Sequence, residues 1–175
     1  MKKFTVAVAI LLGMSSFVYA KSATESIGYV LSIAIPAGAY GSSLYLGDKD
    51  GQMQFYKSYG ATMGATYILK YTAREKRPDS NNKDSFPSGH TSSAFAGASF
   101  IHKRYGLKYA ILPYLAAVYT GYSRVHANRH HPIDVYAGAA IGILSSWYFV
   151  TSYKNLQVTP IVSSDFKGLN LNYKW

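Results

Sequence analysis

Three short clusters in the second half of the chain carry side chains suited to phosphoryl transfer. Lys70–Pro78 reads K-x6-R-P, Pro87–His90 reads P-S-G-H, and Ser123–Asp134 reads S-R-x5-H-x3-D. Lys70, Arg77 and Arg124 supply three fixed cations. A transferring phosphoryl group spreads negative charge over its equatorial oxygens, and fixed cations around it stabilise the transition state without a metal. Arginine's planar fork binds two oxygens at once, while lysine acts as a compact point charge. Taken singly, each cluster has a plainer reading. Basic residues at helix ends commonly face solvent, P-S-G-H reads as a helix cap with an incidental histidine, and Asp134 as an ordinary helix-start carboxylate. Their order within about 65 residues favours chemistry.

Pro87-Ser88-Gly89-His90 precedes an apolar run and therefore predicts a helix entry. Ser88 is a candidate cap, Gly89 lets backbone approach closely, and the first-turn amides point at an anion. His90 lies where a proton donor to a leaving alkoxide is wanted. His130 and Asp134 stand four apart, on one face if Pro132 opens the last helix. A carboxylate bonded to one ring nitrogen fixes the tautomer and leaves the other nitrogen to attack. Phosphoryl transfer to His130 would split hydrolysis into two easier steps through a phosphohistidine. A rival reading is a metal site, because His126, His130 and Asp134 recur at intervals of four. Pro132 disfavours one continuous helix through all three, and the nearby cations repel a divalent ion. The expectation is no metal and no cofactor.

The three clusters together resemble the signature of the type 2 phosphatidic acid phosphatase family, whose fold also hosts vanadium haloperoxidases. The resemblance implies phosphate binding by Lys70, Arg77 and Arg124, with Ser88 and the Gly89 amide helping. It implies His90 as general acid, His130 as nucleophile and Asp134 as its orienting partner. It assigns no role to Ser123, His126 or His131. It further implies a metal-independent phosphatase acting on lipid phosphates, isoprenoid diphosphates or small phosphate esters. Other readings are a lipid phosphotransferase, a vanadate-dependent haloperoxidase, and a non-catalytic envelope protein that binds anionic lipid.

The elements that must hold these clusters read as helices. Uncharged or nearly uncharged runs cover Ile27–Leu46, Met53–Tyr71, Thr91–Ile101, Tyr109–Tyr122 and Val135–Tyr153. They predict an all-α bundle of five helices, or six with the N-terminal segment. The joints are a turn at Gly47–Gly51, a polar loop at Arg74–Pro87, a turn at Lys103–Lys108 and a loop at Arg124–Pro132. The bundle is expected over residues 21–155. The tail, 156–175, alternates apolar and polar residues over Gly168–Trp175, which suits an edge hairpin or an ordered extended tail.

At 175 residues the chain is one domain. Lys2, Lys3, the apolar Val6–Leu12 and Val18-Tyr19-Ala20 read as a signal peptide over residues 1–20, or as an uncleaved first helix. Losing it leaves 16 basic against 8 acidic side chains, a balance suited to phosphate esters and acidic bilayer surfaces. The export signal argues against a nucleic-acid partner. Zero cysteine excludes thiol chemistry. Lys49, Lys57, Lys103, Arg104, Lys108 and Lys154 fall at alternate turns, away from the motif-bearing ends. By the positive-inside rule this predicts a small inner-membrane protein with a periplasm-facing site, the alternative being a soluble periplasmic bundle. Oligomeric state is left open.

Overall fold

A computed structural model of the chain describes residues 23–153, 156–162 and 167–173, so the expected signal segment at 1–20 lies outside the described residues. Among the described residues five helices follow one another: α1 (Ala23–Tyr45), α2 (Lys49–Ala73), α3 (Gly89–Tyr105), α4 (Leu107–His126) and α5 (Pro132–Phe149). The all-α bundle is as the apolar runs predicted. Each joint has a local cause. Asp48 caps α2 by accepting from the Gly51 amide at 2.9 Å. Arg74 closes α2 in the left-handed region, with φ 49° and its amide on the Lys70 carbonyl. Gly106, at φ 106°, turns α3 directly into α4.

Two expected boundaries move. The loop expected to begin at Arg124 starts after His126, so Arg124 sits on the last turn of α4. The last helix was expected to run to Tyr153 but ends at Phe149. Val150 is extended and buried, and the strand-like strap after it is held by Arg104: the Tyr153 amide donates to the Arg104 carbonyl at 2.7 Å, and Arg104 donates to the Thr151 carbonyl at 3.0 Å. Beyond it, β1 (Leu156–Val162) and β2 (Lys167–Tyr173) pair antiparallel, with Leu156 opposite Tyr173 and Val162 opposite Lys167.

Helix α3 is the axis of the bundle and touches all four other helices. Its small residues let them come close. An added Cβ at Gly97 would lie 2.7 Å from the Pro36 nitrogen of α1, and one at Gly142 of α5 would lie 2.6 Å from the Ser92 carbonyl oxygen and 2.7 Å from the Ala96 nitrogen. Gly142→Val is therefore expected to destabilise the bundle by about 1–3 kcal/mol through overpacking, read as a lower melting temperature. An unchanged melting temperature would show that α3 and α5 do not pack this tightly.

Polar and apolar surfaces are inverted relative to a water-soluble bundle. Ser32, Ser43, Ser58, Thr62, Thr66, Ser92, Ser99, Thr120 and Ser146 are buried. Some tie helix to helix: Ser93 donates to the Ser32 carbonyl at 2.7 Å and Ser146 to the Ala96 carbonyl at 3.0 Å. Large apolar side chains such as Val30, Ile68, Leu112, Leu115 and Leu144 point outward. The apolar core lies away from the motifs, where Phe55 meets Phe100 edge-on at 5.2 Å and stacks on Tyr59 at 5.3 Å.

Candidate active site

The N-termini of α1, α3 and α5 and the C-termini of α2 and α4 meet at one end of the bundle, and all three clusters are there. Two adjoining cavities open at that end. One, about 250 Å³, is lined by Glu25, Tyr29, Arg77, His90, Arg124, Arg129 and His130. The other, about 380 Å³, shares Tyr29, Arg77, His90 and His130 and adds Lys70, Gly89 and an apolar wall including Ile33, Met63 and Tyr67. The fold thus places Lys70, Arg77, Gly89, His90, Arg124 and His130 around these two cavities.

His130 arrives by a tight turn. Asn128 takes φ 53°, a left-handed value that asparagine tolerates. The Arg124 carbonyl then accepts from both the Arg129 amide at 3.0 Å and the His130 amide at 3.3 Å, folding His130 back beside Arg124. Pro132 opens α5 immediately afterwards and presents Asp134 on its first turn. Asp134 is wholly buried; its Oδ2 accepts from the Ser85 hydroxyl at 2.6 Å and the His131 amide at 2.8 Å. The same Oδ2 lies 3.4 Å from His130 Nδ1, close enough for electrostatic coupling but without hydrogen-bond alignment; among the described residues neither Nδ1 nor Asp134 Oδ1 has a hydrogen-bond partner. Catalytic contacts of this kind commonly tighten only with substrate bound.

Burial, reinforced by Lys70 and Arg77 and opposed by Asp134, pushes the His130 imidazolium from its ordinary 6.5 down to about 4. The ring is thus neutral and nucleophilic at ordinary pH. Between those two values the unfolded chain binds the proton and the folded one does not. Acidification from 6.5 towards 4 should therefore cost up to roughly 3 kcal/mol of stability, with no effect of this group above 6.5. His130→Gln should remove that part of the pH dependence of thermal melting; a variant with the wild-type acid slope would contradict the buried neutral ring.

The cations are held by carboxylates and carbonyls that the sequence reading missed. Asp84 grips Arg77 through two parallel bonds, 2.7 Å from Nε and 3.0 Å from the outer nitrogen, and the Lys70 ammonium donates to the Asp84 carbonyl at 2.5 Å. The Arg77 fork holds the Asp84 carboxyl below the usual range. One bidentate edge of Arg77 is thereby used for placement, leaving the other edge for a ligand. Arg124, nearly inaccessible, donates to the Glu25 carbonyl and to Ser123 Oγ at 3.1 Å, which gives Ser123 a placement role. Arg129 bridges Glu25 at 3.0 Å and Asp79 at 2.5 Å. No periodicity announces Glu25 or Asp84, and only proximity to the clusters could have flagged Arg129 and Ser85.

Ser88 departs from its expected place. It is the residue before α3, but its side chain makes no cap bond; Ser88 Oγ accepts from Thr91 Oγ1 at 3.0 Å and is fully buried, beneath the cavities rather than lining them. Gly89 faces the site: an added Cβ would make ordinary 3.8 Å contacts with Lys70 and Thr66, so the protein itself leaves room there. His126 stacks on Tyr122. Among the described residues no three His, Cys, Asp or Glu side chains group to hold a metal.

The family model of the PAP2 superfamily matches residues 52–157, a span that includes all three clusters. The chain belongs to the PAP2 superfamily. The lipid A 4'-phosphatase of Helicobacter pylori is 33% identical over 169 residues, which cover 86% of this chain and 85% of that protein. The lipid A 1-phosphatase of Porphyromonas gingivalis is 46% identical over 78 residues, covering 43% of this chain but only 18% of that longer protein. The crystal structure of Aquifex aeolicus LpxE superposes with a TM-score of 0.54 at 26% identity, over 68% of this chain and 82% of that one. This PAP2 protein thus shares its bundle with a solved relative and its sequence with named lipid phosphatases.

Proposed function

We propose that this protein is a metal-independent phosphatase that removes phosphate from a lipid-borne sugar phosphate of the lipid A type, through a phosphohistidine on His130. One observation carries the reading: a buried His130 faces the same small cavity as His90, Arg77 and Arg124, with Lys70 alongside. Arg77, Arg124 and Lys70 bind the phosphate oxygens, with the Gly89 amide beside them and Ser88 supporting the turn. His130 Nε2 attacks phosphorus, His90 protonates the departing oxygen, and Asp134 steadies the imidazolium. Water, deprotonated by His90, then releases phosphate and regenerates His130. The lipid A preference is supported by the relative that aligns over most of both chains.

Placement in a bacterial membrane fits the inverted surfaces described above. Helix α1 is long and apolar enough to cross a bilayer, and small or hydroxyl side chains at helix contacts suit packing in lipid. Exposed Tyr29, Tyr67, Tyr71, Tyr122 and Tyr136 ring the site end, and Tyr45, Tyr109, Trp147 and Tyr148 ring the other, as in interfacial aromatic belts. Lys49, Lys103 and Lys108 sit at the end opposite the site, which supports a periplasm-facing centre. Arg104, counted among the orienting cations from sequence, is instead buried against Asp48.

The test is phosphate release in excess chelator from lipid A, phosphatidic acid, an isoprenoid diphosphate and nitrophenyl phosphate. Turnover with a lipid A preference supports the reading, and activity only with added metal overturns it. His90→Ala should cost roughly 100- to 10,000-fold on lipid substrates and less on nitrophenyl phosphate, whose leaving group needs little protonation. Equal losses on both would remove His90 from the acid role.

A further inference from the structure

The cavity wall holds more charge than phosphoryl transfer needs. Beside Arg77, Arg124 and His130 the wall carries Glu25 and Arg129, and in one row Arg129 joins Glu25 at 3.0 Å to Asp79 at 2.5 Å, which stands behind the lining. Glu25 also lies 3.9 Å from Arg124. Arg129 belongs to none of the three clusters' defining positions, and its charge is cancelled by two carboxylates. It therefore adds little to attraction of the phosphate, while the carboxylates beside a phosphate site oppose a bare anion. An enzyme that bound only a phosphate and an alkyl chain would gain by losing them.

The row makes sense for a different part of the substrate. It alternates strong acceptors with a multi-donor guanidinium, and every hydroxyl of a sugar both donates and accepts. Tyr29 lines the same cavity, is about half exposed, and places its ring 5.6 Å from that of His90, offering a flat face beside the leaving group. The glycerol part of a phosphatidate offers ester carbonyls, which accept only and leave the carboxylates unmatched.

We propose that Glu25, Arg129 and Asp79 form a sugar-reading row that selects a hydroxylated or amidated sugar as the group carrying the phosphate. This rests on the reading of the substrate as a lipid-borne sugar phosphate. A site built to hydrogen-bond a substrate group discriminates strongly against an analogue lacking it, because its own polar atoms are then left unmatched.

The experiment compares kcat/KM for monophosphoryl lipid A and for phosphatidic acid in the full-length wild type, Asp79→Asn and Arg129→Gln. The ratio of the two constants does not depend on how much of each preparation is folded. In both variants it should fall about 10- to 100-fold, the effect of losing hydrogen bonds to charged groups. A ratio within about threefold of wild type, with both rates reduced together, would make the row a structural clamp between α1 and the two loops and overturn the proposal. A wild type with no preference for the sugar phosphate would overturn both this proposal and the substrate reading. A wild-type preference that survives in both variants would overturn this proposal alone.

Discussion

Replacing His130 by alanine is expected to lower phosphate release by about 10,000-fold or more on every substrate. Loss of a nucleophile removes the covalent route entirely, and what remains is only the electrostatic help of the surrounding donors. The fold should survive. Asp134 keeps its bonds from Ser85 and the His131 amide, and Arg124 keeps Glu25 and Ser123. Binding of phosphorylated lipid should persist, because Lys70, Arg77 and Arg124 are untouched. Equilibrium binding to vesicles containing the substrate, measured beside turnover, checks both halves. Hydrolysis within tenfold of wild type would refute His130 as nucleophile. Loss of binding along with hydrolysis would mean that the substitution had collapsed the cation pocket.

The second large effect lies at the opposite end of the bundle. Arg104 and Asp48 are both nearly inaccessible and joined by two parallel bonds, 2.7 Å from Nε and 2.5 Å from the outer nitrogen; the Tyr105 hydroxyl donates to the same carboxylate at 3.0 Å. Arg104 also holds the strap through Thr151, and Asp48 caps α2. Arg104→Met leaves a buried carboxylate without its counter-ion and should cost about 3–5 kcal/mol, seen in denaturant or thermal unfolding. Adding Asp48→Asn to it should recover much of that loss, because the stranded charge goes. A single variant as stable as wild type would show that water reaches this pair.

Much of the site was legible in the primary structure because its chemistry is local. P-S-G-H sits at a helix entry, and His130 and Asp134 share a short segment that Pro132 converts into loop plus helix. The helices were legible from their uncharged runs. What could not be read are pairings made across the fold. Glu25 reaches Arg124 across 99 positions and Ser85 reaches Asp134 across 49. Such partners are chosen by packing, which single-residue identity does not encode. Ser88 was misplaced because a serine before a helix has two outlets for its oxygen, and here Thr91 wins over the helix amides. The strap at 150–153 was misread because an apolar run has no helical period of its own; its direction is set by Arg104.

A covalent intermediate on His130 dictates the stereochemical course at phosphorus, which can be measured. An isotopically chiral thiophosphate analogue of the lipid substrate would be hydrolysed in labelled water with excess chelator, and the configuration of the released thiophosphate determined. Two successive in-line displacements, first by His130 and then by water, predict net retention. Net inversion would mean that water attacks directly, and would contradict the phosphohistidine.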